Sequence, residues 1–410
     1  MLDWQVEVRK QRGMEIAALM PIQRKGAVWL VPSRSTGHKY TVSADASAPH
    51  CTCPDHENTG GRCKHIHAVE YVIERERHED GSETVTERLT VETTRKTYPQ
   101  DWTAYNAAQT SEKHEFQSLL FDLCQTVPSP PQTMGRPRLP MSDAVFTTTF
   151  KVYSTFSGRR FMSDLRDAHE RGYISRVPHF NSIFNQLKQP EMGSILTGLV
   201  QMSARPLAVL EDKFACDSTG FTTNRFVPWF DKKYRAWNRR EHDWVKVHLM
   251  CGVRTNVVTA VTIKERDASD TKQLPELLAT TAQNFDVREV SADKGYSSVY
   301  NHIVIGQHGA TPLIAFKNNA NGARGGAFGR AFHYYSLHRE EFLQRYHRRS
   351  NVESTMSMIK AKFRDDVRSR TDTAMTNEVL CKVLAHNICC LIQSTREFGV
   401  DLDFTPRLVS

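Results

Sequence analysis

Residues 206–400 predict an α/β fold, a mixed sheet flanked by helices, and two observations carry that prediction. Strand-length apolar runs alternate with helix-length segments in the order β-β-β-α-β-α-β-α. Two aspartates, Asp217 and Asp293, fall where strands are predicted to end, and Glu353 lies on the helix after the last strand. In an open α/β sheet such strand ends face the crevice where ligands bind.

Taken in order, 207–216 reads as a strand closed by Asp217-Ser-Thr-Gly220, and 245–251 with 256–263 as a hairpin around Arg254-Thr255. A helix over 274–284 leads to a strand at 287–292 that ends in Asp293-Lys-Gly295. A helix over 297–305 and a strand over 311–317 follow, and one continuous helix is predicted from about Glu340 through Lys360. Between them, 318–330 is rich in glycine and carries Arg324 and Arg330, which reads either as a clamp on DNA backbone or as a solvated loop. It lacks the Gly-Lys-Ser/Thr ending of a nucleotide loop. Over 376–394, Val379, Val383, Asn387 and Leu391 share one stripe and predict a helix packed against the sheet, with His386 a core residue.

Upstream, the organisation is modular: 1–80 a region with a cysteine–histidine cluster, 81–140 a connection with a Pro-rich linker, 141–205 a helical domain, and 206–400 the α/β domain. Residues 79–100 read as an edge hairpin, and Asp101 caps a helix bearing Phe116, Leu119, Leu120 and Leu123. The linker at 127–131 precedes Gly135-Arg-Pro-Arg138, which reads as an AT-hook core or as a solvated basic linker. Three helices over 142–189 break at Ser157-Gly158 and Arg171-Gly172, and the middle one carries Arg159, Arg160 and Arg166. That is the outline of a helix-turn-helix reader, and equally of a small helical bundle. A further helix runs from Glu191 to about Ala204.

Composition narrows the class. A chain of 410 residues with 39% hydrophobic content can bury a sizeable core, and 54 Lys+Arg against 46 Asp+Glu leave +8, which favours a polyanionic partner such as nucleic acid. The N-terminus lacks a basic segment followed by an apolar run, and no window reaches the ~18 uninterrupted apolar residues of a membrane span. The expectation is a soluble, cytoplasmic protein with no membrane partner, nucleoid-associated when bound to DNA.

Of nine cysteines, Cys124, Cys216, Cys251, Cys381, Cys389 and Cys390 sit in apolar surroundings and read as reduced core residues. Cys51-Thr-Cys53 and Cys63-Lys-His65 offer three thiolates and one imidazole, a tetrahedral set for zinc, and Gly60-Gly61 lets the loop fold back. A hairpin of 27–31 and 39–43, turning through 32–37, precedes the set, and a helix from Lys64 to about Arg77 supplies His65 from its first turn. A disulfide is the alternative, disfavoured by the odd cysteine count and a reducing compartment. His56 and His67 read as loop and helix residues. This pattern, with Pro54 and the run Cys63-Lys-His-Ile-His-Ala-Val69, resembles the SWIM zinc finger over about residues 38–75. The resemblance implies a module that binds nucleic acid or protein.

At about 100° per residue, Tyr346, Arg349, Glu353 and Lys360 fall within roughly 60° of one helix face. A salt-bridged surface helix reads the same way. With Asp217 and Asp293, however, Glu353 completes three acids on three elements in the order of an RNase H-like fold. Hard oxygen ligands suit Mg2+ (or Mn2+), and two such ions about 3.5–4 Å apart can serve both the attacking and the leaving oxygen.

Asp217-Ser-Thr-Gly, Asp293-Lys-Gly-Tyr and Tyr346-x2-Arg349-x3-Glu353-x6-Lys360 together resemble the DDE transposases of bacterial insertion sequences, over about residues 140–395. Gly158-Arg-Arg-Phe-Met-Ser-Asp-Leu165, Lys246-Val-His248 and Asn377-Glu-Val-Leu-Cys-Lys-Val-Leu-Ala-His-Asn387 belong to the resemblance. It implies a metal-dependent enzyme that cleaves its element's ends by hydrolysis and joins the 3′-hydroxyl to target DNA by transesterification, as a homodimer on double-stranded DNA. Asp217, Asp293 and Glu353 would hold Mg2+, while Tyr346, Arg349 and Lys360 would hold DNA. The short interval from Asp293 to Glu353 leaves no room for the large β insertion of some relatives. Two rival readings are a domesticated or regulatory DNA-binding protein and an RNase H-like nuclease without strand transfer.

Overall fold

A computed structural model describes residues 3–33, 38–43, 48–77, 101–129, 134–135, 138–223, 244–265, 267–317, 320 and 324–404. The chain divides into two compact units, Met1–Pro99 and Gln100–Ser410.

The first unit opens with helix α1 (Asp3–Leu19), which the mixed composition of that stretch does not announce. Packing holds it: Gly13 brings α1 so close to α3 (Lys64–Arg77) that a Cβ there would lie 2.6 Å from the His67 Cβ. Between these helices stand β1 (Gln23–Lys25), β2 (Val28–Pro32), β3 (Lys39–Ser43) and β4 (His50–Cys51), an antiparallel sheet in chain order. The predicted hairpin is therefore the middle of a four-stranded sheet; most of its turn, 34–37, lies outside the described residues, as does 79–100. A short α2 (Pro54–Thr59) ends at Gly60, whose φ of 61° is left-handed and suits glycine. Trp29, Val31, Val42, Ile66 and Val69 form the core with Cys51, Cys53 and Cys63.

The second unit is a mixed five-stranded sheet flanked by helices. Its strands are β5 (Lys213–Thr222), β6 (Trp244–Gly252), β7 (Val258–Lys264), β8 (Glu289–Ala292) and β9 (Thr311–Ile314), in the order β7-β6-β5-β8-β9. β5, β6 and β7 are antiparallel neighbours, while β5, β8 and β9 run parallel. The first strand differs from expectation at both ends. Leu207 belongs to a 3-10 turn (Arg205–Val209), and the strand continues through Asp217-Ser-Thr-Gly220 because β6 pairs with every residue from Phe214 to Thr222. A ladder partner overrides the turn preference of those residue types.

Around the sheet lie α4 (Trp102–Gln125), α5 (Met141–Ser154), α6 (Gly158–Glu170), α7 (Phe180–Gln186), α8 (Glu191–Ala204), α9 (Leu274–Ala282) and α10 (Val299–Gln307). They are followed by α11 (Gly326–Leu337), α12 (Arg339–Tyr346), α13 (Ser350–Phe363) and α14 (Asp372–Phe398). The side chains of α4, α5, α6 and α8 share one hydrophobic core with the sheet. The Gly-rich stretch predicted as a loop already turns helical at Gly326, where α11 begins.

Helix α14 corrects the single-stripe expectation: it is buried on nearly every side, packing on α4, α5 and α8 as well as on β7. Its length and apolar content would suit a membrane crossing, yet 83% of the apolar window is buried inside the unit. Its polar residues are structural ties. Asn387 accepts from the Val258 N–H at 2.8 Å and donates to the carbonyls of Val258 and Val200 at 2.7 and 3.1 Å, clasping edge strand β7 to α8. Asn377 donates to the carbonyls of Leu187 and Gln189, Lys382 to those of Arg364 and Asp366, and Glu378 accepts the N–H groups of Arg368 and Ser369. The His386 Nε2–H donates to the Asn256 carbonyl, and burial lowers that imidazole to about 4, a neutral core residue.

Candidate active site and metal centre

The parallel pairing of β5 with β8 ends at Cys216 and Ala292. Asp217 and Asp293 are therefore the next residues on neighbouring strands and project from the same face. Asp293 then opens a 3-10 turn (Lys294–Tyr296), whereas Asp217 stays in the ladder opposite Leu249. The strand-end placement thus holds for Asp293 and for the parallel half of the sheet, but β5 itself runs on to Thr222.

Glu353 sits in the first turn of α13, and the continuous helix predicted from Glu340 is broken by a 3-10 turn at His347–Arg349. Burial supplies the reason. Phe342 and Val352 are both fully buried, and in an unbroken helix they would point about 80° apart; three residues at about 120° each narrow that to about 20°.

Arg349 links two of the acids. Its Nη1 donates to Asp217 Oδ2 at 3.2 Å and its Nη2 to Glu353 Oε1 at 2.5 Å. Burial pushes the Asp217 carboxyl up; the Ser218 N–H and Arg349 oppose this, while Asp293 and Glu353 add to it. The Asp293 carboxylate has no hydrogen-bond or ion-pair partner among the described residues, while its backbone carbonyl accepts from the Tyr296 N–H at 2.9 Å, and Glu353 is exposed. Tyr346, at the end of α12, is raised mainly by burial and interacts with Arg349, Asp293 and Asp217. Lys360 turns toward β5: its Nζ donates to Thr219 Oγ1 at 2.6 Å and lies 5.5 Å from the Phe221 ring, with its pKa lowered by burial.

Three hard carboxylates suit a divalent ion, and the Arg349 guanidinium already stands as a positive charge between two of them. The donor chemistry fits, although among the described residues only the cysteine–histidine cluster below draws all its ligand atoms within mutual reach.

A fourth carboxylate escaped sequence reading. A Cβ at Gly295 would lie 3.7 Å from Asp270 Oδ2 and 3.9 Å from Asp293 Oδ2, so the two acids flank that glycine. Lys246 pairs with Asp270 at 2.8 Å, and His248, lowered to about 4 by burial, faces Asp270 at 3.6 Å and the Tyr296 hydroxyl at 3.3 Å. Thr271 Oγ1 donates to the Gly295 carbonyl at 2.8 Å, and Asn301 bridges Thr271 and Tyr296. The alternation Lys246-x-His248, which puts both on one face of β6, was the available signal.

The basic helical array is arranged differently. Arg159 and Arg160 are exposed on α6, and Arg159 lies over the Phe180 ring of the seven-residue α7 at 5.4 Å. Residues 136–137 of the AT-hook-like run lie outside the described residues.

In the first unit, Cys51, Cys53, Cys63 and His65 are all buried, with their ligand atoms within 4.8 Å of one another. His65 Nδ1 lies 3.9 Å from both Cys51 Sγ and Cys63 Sγ, while its Nε2 is buried without a partner. No disulfide joins the cysteines. A hydrogen bond from Cys51 holds the Cys63 thiol down to about 3, whereas the same bond and burial raise Cys51. Donor type, count and spacing fit zinc. His56 and His67 are engaged elsewhere, His56 with the Gly61 carbonyl at 2.8 Å and His67 with Glu70 at 2.9 Å.

Residues 210–388 match the family model of the transposase DDE domain. The match supports a transposase. It spans β5 to β9 and α9 to α13, together with most of α14, and so contains Asp217, Asp293, Glu353 and the Lys246–His248–Asp270 cluster. A transposase of this kind is a metal-dependent, DNA-cleaving enzyme, and DNA is the partner the match implies. No curated protein and no solved structure matched the chain.

Proposed function

We propose that the chain is a DDE transposase whose catalytic domain is RNase H-like, with Asp217, Asp293 and Glu353 as metal ligands. The observation that carries the reading is the placement of Asp217 and Asp293 as successive neighbours beyond the last parallel pair, with Glu353 tied to Asp217 through Arg349. The strand order β7-β6-β5-β8-β9 supports the fold assignment.

Bound Mg2+ or Mn2+ ions would supply an ionised water or 3′-hydroxyl on one side of the scissile phosphate and charge for the leaving oxygen on the other. The chain's own groups do the rest. Asp217, held at 20% side-chain exposure, keeps its charge out of bulk water and central to the site. Arg349 neutralises the acids before substrate arrives and can turn its fork to a phosphate. Lys360, at Thr219, lies farther along β5 and holds the next stretch of backbone, while Tyr346 hydrogen-bonds or stacks on a displaced end. Element ends are hydrolysed and the freed 3′-hydroxyl is joined to target DNA at the same site by a homodimer. Arg159 and Arg160 on the exposed face of α6 contact duplex DNA, and Cys51, Cys53, Cys63 and His65 hold a structural zinc in a SWIM-like module.

The test is incubation of the purified protein with a fragment bearing the element's ends, with Mg2+ or Mn2+, followed by mapping of the products. Metal-dependent 3′-hydroxyl ends and joined products are expected from the wild type and not from Asp293→Ala or Glu353→Ala. Cleavage that survives either substitution contradicts the assignment.

A further inference from the structure

A cavity of about 500 Å³ opens in the second unit where the ends of α5 and α13 meet α7 and the segment leading into α14. Its volume lies in the ~300–1,000 Å³ range of small-molecule sites, and a lone phosphate would leave most of it empty. The lining combines charged and aromatic residues.

Lys151 is 7% exposed and lines the cavity, and its amine has no hydrogen-bond or ion-pair partner among the described residues. Its Nζ lies 6.0 Å from the Phe161 ring, and burial, with Arg368 adding to it and Glu378 opposing it, lowers the amine to about 8. Arg364 and Arg370 also line the cavity, and their side chains have no hydrogen-bond or ion-pair partner among the described residues, whereas Lys382, Arg368 and Glu378 are tied to backbone groups. Arg364 also adopts φ 74° and ψ 154°, a conformation that side-chain-bearing residues avoid. Phe184, Leu187 and Phe363 also line the cavity. Gly158 leaves room for the Phe184 ring, which a Cβ there would meet at 2.9 Å.

We propose that this cavity binds a nucleotide, its phosphate on Lys151, Arg364 and Arg370 and its base against Phe184, Leu187 and Phe363. The free cations select an anion, and the aromatic wall selects one with a flat apolar face. The buried Phe221 ring stands between the cavity and the acid site. Lys382, which lines the cavity, lies 5.0 Å from the Phe221 ring that Lys360 covers from 5.5 Å. Phe221 is four residues beyond Asp217 on β5, about 13 Å at ~3.3 Å per residue, a span that a few nucleotides of single strand cover. Nucleotide binding itself stands on the lining alone. Only its service to a DNA strand rests on the reading of Asp217, Asp293 and Glu353.

Calorimetric titration of the full chain with dAMP tests it, with inorganic phosphate and a single-stranded tetranucleotide as further probes. One dAMP per chain is expected, bound at least tenfold more weakly by Lys151→Met and severalfold more weakly by Phe184→Ala, with Asp217→Asn unchanged. Lys151→Met replaces a buried amine by an apolar chain and should melt no lower than the wild type, so its loss of binding is not a loss of fold. Tighter binding of the tetranucleotide identifies a DNA strand as the source, and binding no tighter than dAMP identifies a free nucleotide. The proposal is overturned if dAMP shows no saturable binding to the wild type up to millimolar concentration, or if Lys151→Met binds it equally. Phosphate binding as tight as dAMP overturns the role of the aromatic wall.

Discussion

The cysteine–histidine cluster and the carboxylate site are built on opposite plans. In the first unit four donors are buried and already gathered, with ligand atoms within 4.8 Å. In the second, Asp217 is half-buried, Glu353 is exposed, and a guanidinium rather than mutual approach links them. A closed four-ligand site has no place for substrate and serves the fold; an open acid site with a movable countercharge can admit a phosphate and more than one ion. The two regions should therefore respond in opposite ways when metal or ligands are removed.

The largest effect belongs to the closed site. If the cluster holds zinc as proposed, replacing Cys63 by Ser, or removing zinc with a chelator, should unfold the first unit, since such sites contribute on the order of 10 kcal/mol to small modules. Zinc content and loss of proteolytic protection over 3–77 would report it, and an unchanged digestion pattern would show the cluster to be dispensable. At the open site the reverse is expected: Asp217→Asn should abolish strand cleavage, by about a thousandfold or more, roughly 4 kcal/mol in the barrier, while the fold persists.

Stability should even rise. A carboxyl raised above its unfolded pKa holds more protons when folded, so it costs stability as pH climbs from the unfolded toward the folded value, and the cost is fully present only above the folded value. Thermal melts of Asp217→Asn at pH 7 should thus lie at or above the wild type, and a clear drop would mean that Asp217 is structural.

Smaller again is the Asn387→Leu substitution, which breaks the clasp between β7 and α8 and leaves buried backbone groups unpaired; a loss of about 2–4 kcal/mol is expected in denaturant melts. The smallest effect sharpens the comparison itself. Arg349→Met removes the countercharge between the acids and should tighten Mn2+ binding severalfold by calorimetry in the absence of DNA, while weakening DNA binding. Unchanged metal affinity would mean that Arg349 does not stand in for a cation.

Much of this was legible in the chain. The spacing of Cys51, Cys53, Cys63 and His65 picked out the four residues that the structure gathers, because a short strand, a loop and one helix turn carry all four. Asp217, Asp293 and Glu353, which the structure brings around Arg349 and Tyr346, were named from the order of elements. What the chain could not display was long-range: the β6 ladder that carries β5 through a turn-forming sequence, and the paired burial of Phe342 and Val352 that breaks a periodic helix. Asp270 went unseen for the same reason, since its neighbours Lys246, His248 and Gly295 come from two other segments. Asn377, Glu378, Lys382 and Asn387 read as a motif and turn out to be ties between backbones.

Asp293 offers the most direct test, because no hydrogen bond or ion pair of its carboxylate among the described residues confuses its replacement. Cleavage and joining of the element's ends should be measured for Asp293→Cys in Mg2+ and in Mn2+, since a thiolate is a poor ligand for the harder ion and a better one for the softer. If Asp293 holds the metal, activity disappears in Mg2+ and returns in Mn2+; activity in Mg2+ equal to that of the wild type would contradict the assignment.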